Sequence, residues 1–206
     1  MIVIKSLPTR SRPNFMIGNK DRKVSLKTGF TLIELVVSLS IISILTALFL
    51  VNYHSTNQRT DLTMSAQTLV TNIRFAQANA LGLVKYDGEI PLGGWGVFVS
   101  SGSGSNHSYF IFADENDNRK YDNGEAIPAL GGNVISLSPN ISIDSLSLGN
   151  VEVSQANVTF LPPDPITRLE SGSATSTFMD IRLRESLNNT TKTVRVNFLG
   201  LVEVID

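Results

Sequence analysis

The feature that most constrains this chain is an apolar run of 22 residues, Phe30 to Val51, in which Glu34 is the single ionisable side chain. At about 1.5 Å per residue, a helix of that length reaches roughly 33 Å, which is enough to cross the hydrocarbon core of a bilayer. The remainder of the chain is polar and rich in Ser, Asn, Thr and Gly. The sequence therefore predicts one membrane-spanning helix attached to an exported domain.

The helical pattern continues beyond the apolar run, because no proline occurs between Phe30 and Tyr86. In this second half the apolar residues recur at spacings of three and four, which is typical of one face of a soluble helix. These residues are Leu62, Ala66, Leu69, Ile73, Ala76 and Ala80. Gly82 offers a C-terminal stop. We predict a single helix of about 50 residues, with its first half in lipid and its second half against a globular domain.

From about Trp95 the hydrophobic period changes to two, which indicates strands. The predicted strands contain Val97 and Val99, Tyr109 to Phe112, Met179 to Leu183, Val194 to Phe198, and Leu201 to Ile205. Turns are predicted at Gly102–Ser105 and at Gly200. Strands that follow one long helix favour an α+β fold, in which a small antiparallel β-sheet domain packs on the long N-terminal helix.

Charge is distributed unevenly along the chain. Residues 1–29 hold seven of the 17 basic side chains and one of the 18 acidic ones, which leaves ten basic and 17 acidic residues from Phe30 onward. The positive-inside bias predicts a cytoplasmic leader and an extracytoplasmic C-terminal domain. An acidic domain is a poor general binder of nucleic-acid phosphates. The absence of cysteine excludes disulfides and thiolate chemistry.

These patterns divide the chain into four segments. Residues 1–29 form a basic leader, 30–52 an apolar helix of transmembrane length, 53–84 its amphipathic continuation, and 85–206 an exported β-rich domain. The leader begins at Met1 or at Met16, and the sequence leaves both starts open.

Glu34 distinguishes the N-terminal segment from a signal peptide or a plain membrane anchor. A conventional signal peptide has a shorter apolar region and a small-residue cleavage site, neither of which is found here. A plain anchor gives no reason for a carboxylate in lipid, where it costs several kcal/mol and usually has a partner. Cleavage between Gly29 and Phe30 would create that partner, because a new α-amine would lie one helical turn from Glu34.

The stretch Lys27-Thr28-Gly29-Phe30-Thr31-Leu32-Ile33-Glu34, followed by the apolar run, resembles the N-terminus of type IV prepilins and pseudopilins. The resemblance implies that a prepilin peptidase cleaves after Gly29 and methylates Phe30, and that Glu34 guides assembly. It also implies other pilin or pseudopilin subunits, an inner-membrane assembly platform and membrane lipid as partners. The protein would first lie in the inner membrane and then join a filament, either a type IV pilus or a type II secretion pseudopilus.

A second dense constellation is Asp114–Glu125, called here the acidic loop. If it is a twelve-residue calcium loop, its ligands are Asp114, Asn116, Asn118, the Lys120 carbonyl, Asp122 and Glu125. Arg119 occupies the position where such a loop needs glycine, and no flanking helices are predicted. The alternative is a polar hairpin tip in which Asn and Asp side chains cap their own backbone. The sequence leaves both interpretations open, with calcium as a possible cofactor.

The globular half is similar to GspH/FimT-class minor pilins and pseudopilins. The resemblance rests on Trp95–Val99, on Tyr109–Asp114 with the acidic loop, on Val158–Pro162 and on the closing hairpin, Val194–Ile205. Some members of that class bind DNA through a Gly-Arg-x-Arg motif near the C-terminus. The matching place here is Gly200-Leu201-Val202-Glu203, which has no arginine, so DNA binding is not expected.

No catalytic constellation is evident, so the chain is not expected to be an enzyme. Its two histidines have no zinc-ligand spacing, and no serine lies in a Gly-x-Ser-x-Gly elbow. The face formed by Arg182, Arg184 and Arg195 is interpreted as the outer side of a sheet. The alternative function is a single-pass, membrane-anchored extracytoplasmic binding domain that keeps its leader and does not polymerise.

Overall fold

The computed structural model describes residues 29–128, 134–162 and 166–205, with the side chains of 51–58 left out of the description. The predicted leader therefore lies outside the described residues, apart from Gly29. The chain divides into two compact units, Met1–Ile44 and Leu45–Asp206. Helix α1, Leu32–Leu81, is 50 residues long and continues through that boundary, which confirms the predicted helix.

The second half of α1 supplies one wall of the hydrophobic core. All six residues of the predicted stripe, from Leu62 to Ala80, are buried. On the exposed side of the same segment, the hydroxyls of Thr63, Thr68 and Thr71 each donate to the carbonyl four residues earlier, at 2.8 to 2.9 Å. The helix thus satisfies these polar side chains itself and turns its apolar stripe to the sheets.

Eleven strands are found in the part of the chain that the structure describes, and they form two antiparallel sheets. They are β1 Gly94–Ser100, β2 Ser108–Asp114, β3 Ile135–Ser136, β4 Ile141–Leu148, β5 Val151–Val153, β6 Gln155–Leu161, β7 Ile166–Ser171, β8 Ala174–Thr175, β9 Phe178–Glu185, β10 Thr191–Asn197 and β11 Val202–Ile205. The six-stranded sheet has the order β3-β2-β1-β6-β7-β8, and the five-stranded sheet has the order β11-β10-β9-β4-β5. Side chains from α1 and both sheets share one core.

The α+β class is confirmed, but the β part is larger than the single small sheet that the sequence predicted. The five predicted strands correspond to β1, β2, β9, β10 and β11. Strand β4 was missed because its pairing with β9 shifts between Ile143 and Ser145, so the buried positions change from Ile141 and Ile143 to Leu146 and Leu148. A bulge of this kind interrupts the period of two on which strand prediction depends.

Glycines around Trp95 permit the closest approaches in the six-stranded sheet. A Cβ at Gly96 would lie 2.5 Å from the Phe112 ring, and one at Gly94 would lie 2.0 Å from the Phe160 carbonyl oxygen. Trp95 itself is buried, and its indole Nε1 donates to the Val84 carbonyl at 3.2 Å. Trp95 therefore joins the segment after α1 to the sheet.

Polar side chains fix α1 to a strand of each sheet. The amide of Asn72 donates to the hydroxyl of Tyr109 on β2 at 2.6 Å, inside the core. Arg74 donates to the Val202 carbonyl at 2.9 Å, and Gln77 donates to the Gly200 carbonyl at 3.3 Å. The turn before β11 packs so closely that a Cβ at Gly200 would lie 2.4 Å from the Gln77 amide.

Candidate processing and assembly site

The helix that carries Glu34 begins at an N-cap. Thr31 is outside the helix, and its Oγ1 accepts a hydrogen bond from the Glu34 backbone N–H at 3.3 Å. The Thr31 carbonyl accepts the first intrahelical bond, from Leu35, at 3.1 Å. Thr31 and Glu34 thus occupy the N-cap and N3 positions of a capping-box sequence. Glu34 lies in the first turn, where the helix dipole favours a negative charge.

The predicted cleavage junction precedes this cap and is not part of the helix. Gly29 and Phe30 are both exposed, and Phe30 keeps 78% of its surface accessible. A Cβ added at Gly29 would meet nothing within 4 Å. Nothing in the described surroundings therefore requires glycine at position 29, and a requirement for glycine there would have to come from an enzyme that acts on the junction.

The first part of α1 presents apolar side chains that no described residue covers. Residues Leu32–Leu50 are long and apolar enough to cross a membrane, and none of them is buried. Soluble monomers rarely expose an apolar surface of this extent, and such a surface is typical of contact with lipid or with another protein.

Two of the three serines within this apolar part bond to their own helix. The hydroxyl of Ser40 donates to the Val36 carbonyl, and that of Ser43 donates to the Leu39 carbonyl, both at 2.8 Å. Each hydroxyl has its acceptor on the same helix, so neither serine leaves an unsatisfied donor in an apolar environment. Glu34 differs from these serines because its carboxylate has no ion pair among the described residues.

The acidic loop is organised by the carboxylate of Asp114, which is buried at the end of β2. Asp114 accepts hydrogen bonds from the backbone N–H groups of Asn118, at 3.3 Å, and Arg119. Burial raises the pKa of Asp114, and these backbone donors counteract part of the increase. Asp117 and Arg119 have φ values of +60° and +62°, so the loop curls through two left-handed residues.

Side-chain amides close the rest of the loop. Asn116 and Asn118 both donate from Nδ2 to Oδ2 of Asp122, at 2.9 and 2.5 Å, and these bonds lower the pKa of Asp122. Their amide oxygens accept backbone N–H groups two residues onward. Glu125 accepts the Asp122 backbone N–H at 2.9 Å, and burial raises its pKa. These contacts are those expected of a hairpin tip that caps its own backbone.

The calcium interpretation fits these contacts less well. In the described ranges, no three His, Cys, Asp or Glu side chains are grouped as a metal would need. The amide nitrogens of Asn116 and Asn118, rather than their oxygens, point to Asp122. Calcium ligation by the six predicted residues stays a prediction, and the arrangement described here favours the self-capped loop.

The acidic loop also covers the outer face of the six-stranded sheet. Tyr121 stacks on Phe110 with ring centroids 4.9 Å apart, and its backbone N–H donates to Asn157 on β6 at 3.2 Å. Thr159, also on β6, donates to the Arg119 carbonyl at 3.3 Å. Sequence reasoning did not identify Asn157 and Thr159, because these contacts join residues about 40 positions apart.

Two arginines of the predicted outer sheet face pair with acids on neighbouring strands. Arg184 contacts Asp144 at 2.8 Å, and Arg195 makes two bonds to Asp180, at 2.7 Å each. The Arg195 guanidinium also lies over the Phe178 ring, 4.9 Å from its centroid. Cross-strand pairs of this kind belong to the outer side of a sheet, as the sequence predicted.

Thr31 is the residue at the processing site that sequence reasoning missed. Its signal was visible in the sequence, because Thr-Leu-Ile-Glu directly before an apolar run is a capping-box pattern. Glu34 is therefore both the N3 residue of a helix cap and an acidic residue in an apolar helix.

Residues 25–50 match the family model of the prokaryotic N-terminal methylation motif. The matched segment contains the exposed Gly29–Phe30 junction, the Thr31 cap and Glu34. No curated protein and no solved structure matches the chain. The motif supports a type IV pilin-like protein, which is a structural subunit, and it implies processing by a prepilin peptidase and assembly with other pilins. The apolar start of α1 is consistent with a membrane-anchored pilin.

Proposed function

We propose that this protein is a minor pilin or pseudopilin subunit that is cleaved between Gly29 and Phe30, methylated at Phe30 and assembled into a filament through its apolar helix. The observation that carries the proposal is the methylation motif, which coincides with an exposed junction directly before an uncovered apolar helix. Cleavage occurs in the inner membrane, and the assembled subunit then lies on the cell surface or in the periplasm, in a type IV pilus or a type II secretion pseudopilus.

Glu34 is the assembly residue in this proposal. The carboxylate has no ion pair among the described residues, and a charged side chain in an apolar environment needs one. The α-amine of processed Phe30, on the same subunit or on a neighbouring one, supplies the opposite charge. The inner-membrane assembly platform then adds the subunit to those already in the filament.

The GspH/FimT class is the finer assignment that we propose. It is supported by the agreement between the quoted motifs and the strands β1 and β2, the acidic loop after β2 and the β10–β11 hairpin. DNA binding is not part of the proposal. The turn that matches the DNA-binding motif carries exposed Phe198, Leu199 and Leu201 instead of arginines.

Mass spectrometry of the mature N-terminus tests the cleavage. We expect a product that begins with N-methylated Phe30, and we expect Gly29→Val to keep its leader. Since an added side chain at Gly29 meets open space, loss of processing in this variant reports on the peptidase rather than on folding. Thr31→Ser, which keeps the capping hydroxyl, is the matched control. An intact leader in the wild-type protein would support the membrane-anchored binding domain instead.

Substitutions of Glu34 separate its charge from its place in the helix cap. Glu34→Gln keeps a side chain that can complete a capping box but removes the charge, whereas Glu34→Ala removes both. If the charge guides assembly, both variants are cleaved normally and both incorporate poorly into filaments. Normal incorporation of Glu34→Gln would contradict the assembly role. Ser40→Ala, in the same apolar segment, serves as the control and should incorporate normally.

A further inference from the structure

A tight turn after α1 presents acidic side chains. Tyr86 and Glu89 exchange two backbone hydrogen bonds, at 2.8 and 3.1 Å, around Asp87 and Gly88. The φ values of Asp87 and Gly88 are +47° and +90°, as in the tight turns that connect β-hairpins. The turn borders a depression of about 430 Å³, called here the acidic depression. Its lining residues are Tyr86, Asp87, Glu89, Ile90, Pro91, Leu92 and Glu115.

The acidic depression combines unpaired charge with exposed apolar surface. None of its three carboxylates forms an ion pair with any residue that the structure describes. Leu92 is 72% exposed and forms the apolar part of this surface. One wall is held in place because the Tyr86 ring packs edge-on against the buried Trp95, with centroids 6.1 Å apart. A surface of this composition suits a basic side chain that lies beside an apolar one.

This chain carries a surface of that complementary kind. Arg59, Thr60, Thr63 and Met64 line a depression of about 420 Å³ on α1, called here the Arg59 depression. Met64 is 62% exposed, and Arg59 has no ion pair in the described part of the chain. The hydroxyl of Thr63 donates a hydrogen bond to the Arg59 carbonyl at 2.9 Å. The Arg59 depression therefore combines a free positive charge with an exposed apolar side chain.

The two depressions belong to opposite ends of the same helical segment. Arg59 and Leu81, the last residue of α1, are separated by about 33 Å along the helix axis. Two different patches can meet reciprocally about a two-fold axis or head to tail, and only the head-to-tail contact repeats from copy to copy.

We propose that the acidic depression of one copy receives Arg59 and Met64 of a second copy of this chain. This inference rests on the proposed function, since a repeating head-to-tail contact is useful to a subunit that polymerises. Arg59 pairs with the carboxylates of Asp87, Glu89 and Glu115, and Met64 covers Leu92.

Engineered cysteines can test the contact, because the chain contains no cysteine of its own. The full-length protein with both Thr63→Cys and Leu92→Cys is expressed in its membrane and oxidised. We expect disulfide-linked dimers and longer oligomers. The matched control pairs Leu92→Cys with Thr71→Cys, a second exposed threonine of α1 whose hydroxyl is also bonded within the helix. The control should stay monomeric.

Charge reversal provides an independent readout. In the Thr63→Cys, Leu92→Cys background, Arg59→Glu or Glu89→Arg should each reduce cross-linking by about two- to fivefold, and combining them should restore it. The contact is overturned if the oligomers do not form, if the control forms them equally, if the combined reversal fails to restore them, or if the cysteines link to a different protein. Methylation of Phe30 is measured in the same samples. Methylated Phe30 without oligomers overturns the contact alone, whereas an unprocessed leader overturns the proposed function.

Discussion

The hydroxyl of Tyr109 is buried between α1 and β2, where the amide of Asn72 is its hydrogen-bond donor. Burial raises the pKa of Tyr109 to about 12, although the bond from Asn72 counteracts part of the increase. At this position a polar pair occupies a core that is otherwise lined by apolar side chains. Such a pair fixes the register between the helix and the sheet, because each partner is costly to leave unsatisfied.

The raised pKa of Tyr109 predicts a loss of stability at high pH. Between about pH 10 and 12 the native chain keeps a proton that the unfolded chain releases, so the free energy of unfolding decreases as the pH rises. The loss amounts to about 2 to 3 kcal/mol for a shift of this size. Tyr109→Phe should lack this loss of stability. The measurement is denaturant unfolding, across the alkaline range, of the chain from His54 onward, called here the soluble domain. Tyr86→Phe is the control and should keep the wild-type pH dependence. If the free energy of unfolding of Tyr109→Phe varies with pH as that of the wild-type protein does, Tyr109 does not titrate in this way.

Among individual residues, the sequence identified those whose role follows from local pattern. Glu34 is conspicuous because a charge interrupts an apolar run, and Thr31 could have been found from its spacing to Glu34. The Asn72–Tyr109 pair was not predictable, because it joins residues 37 positions apart through the packing of a helix on a strand. The bonds that join Asn157 and Thr159 to the acidic loop escaped prediction for the same reason.

At the scale of single elements, α1 ends at Leu81, directly before Gly82, where the sequence predicted its stop. The left-handed position, however, belongs to Leu83, with φ +50°. The Val84 backbone N–H donates to the Asn79 carbonyl at 3.0 Å, and the Leu83 N–H donates to the Ala80 carbonyl at 3.2 Å, so Leu83 is the C′ residue of a Schellman motif. A glycine near a helix end indicates where the helix stops, but it does not by itself identify the left-handed residue.

Leu83→Gly should therefore stabilise the soluble domain. Leucine in the left-handed region costs about 1 to 2 kcal/mol, and this exceeds the extra entropy that glycine loses on folding. We expect a net gain of about 0.5 to 1 kcal/mol, measured as a higher melting temperature. Val84→Gly is a suitable control, because the adjacent Val84 is similarly exposed and does not have a positive φ. That control should lose stability, and a similar loss in Leu83→Gly would refute the strain at Leu83.

The acidic loop allows a test of the remaining calcium interpretation. Its carboxylates and amides already satisfy one another and the backbone, so we expect millimolar calcium to leave the melting temperature of the soluble domain unchanged. Calorimetric titration should show no heat of binding. A rise in melting temperature that Asp122→Asn abolishes would instead indicate that the six predicted ligands hold the cation.

At the scale of the whole molecule, the two halves of α1 have different solvent requirements. The described hydrophobic core lies between Leu62 and Val202, whereas the apolar surface of Leu32–Leu50 has no cover. The sequence predicted this contrast well, because hydropathy alone distinguishes a continuous apolar run from a stripe. It did not predict two sheets, because β3, β5 and β8 are only two or three residues long and the serine-rich β4 contains a bulge.

A chain that begins at His54 should be soluble and folded without detergent, since it keeps the residues of the described core. Size-exclusion chromatography should find no aggregate, and circular dichroism should find a cooperative unfolding transition. The full-length chain should need detergent or membrane under the same conditions. Aggregation of the shortened chain would mean that residues before His54 contribute to the fold of the domain.

Because Ser40 and Ser43 bond to their own helix, they affect the energy barrier for moving a subunit from lipid into a protein environment. A hydroxyl that depends on a neighbouring molecule for its acceptor loses that bond whenever the neighbour changes, and the loss adds to the activation barrier of the exchange. Here each acceptor is a carbonyl four residues earlier and moves with the serine. The apolar segment can therefore leave lipid for a protein environment without breaking these two hydrogen bonds, and its single ionisable side chain is Glu34.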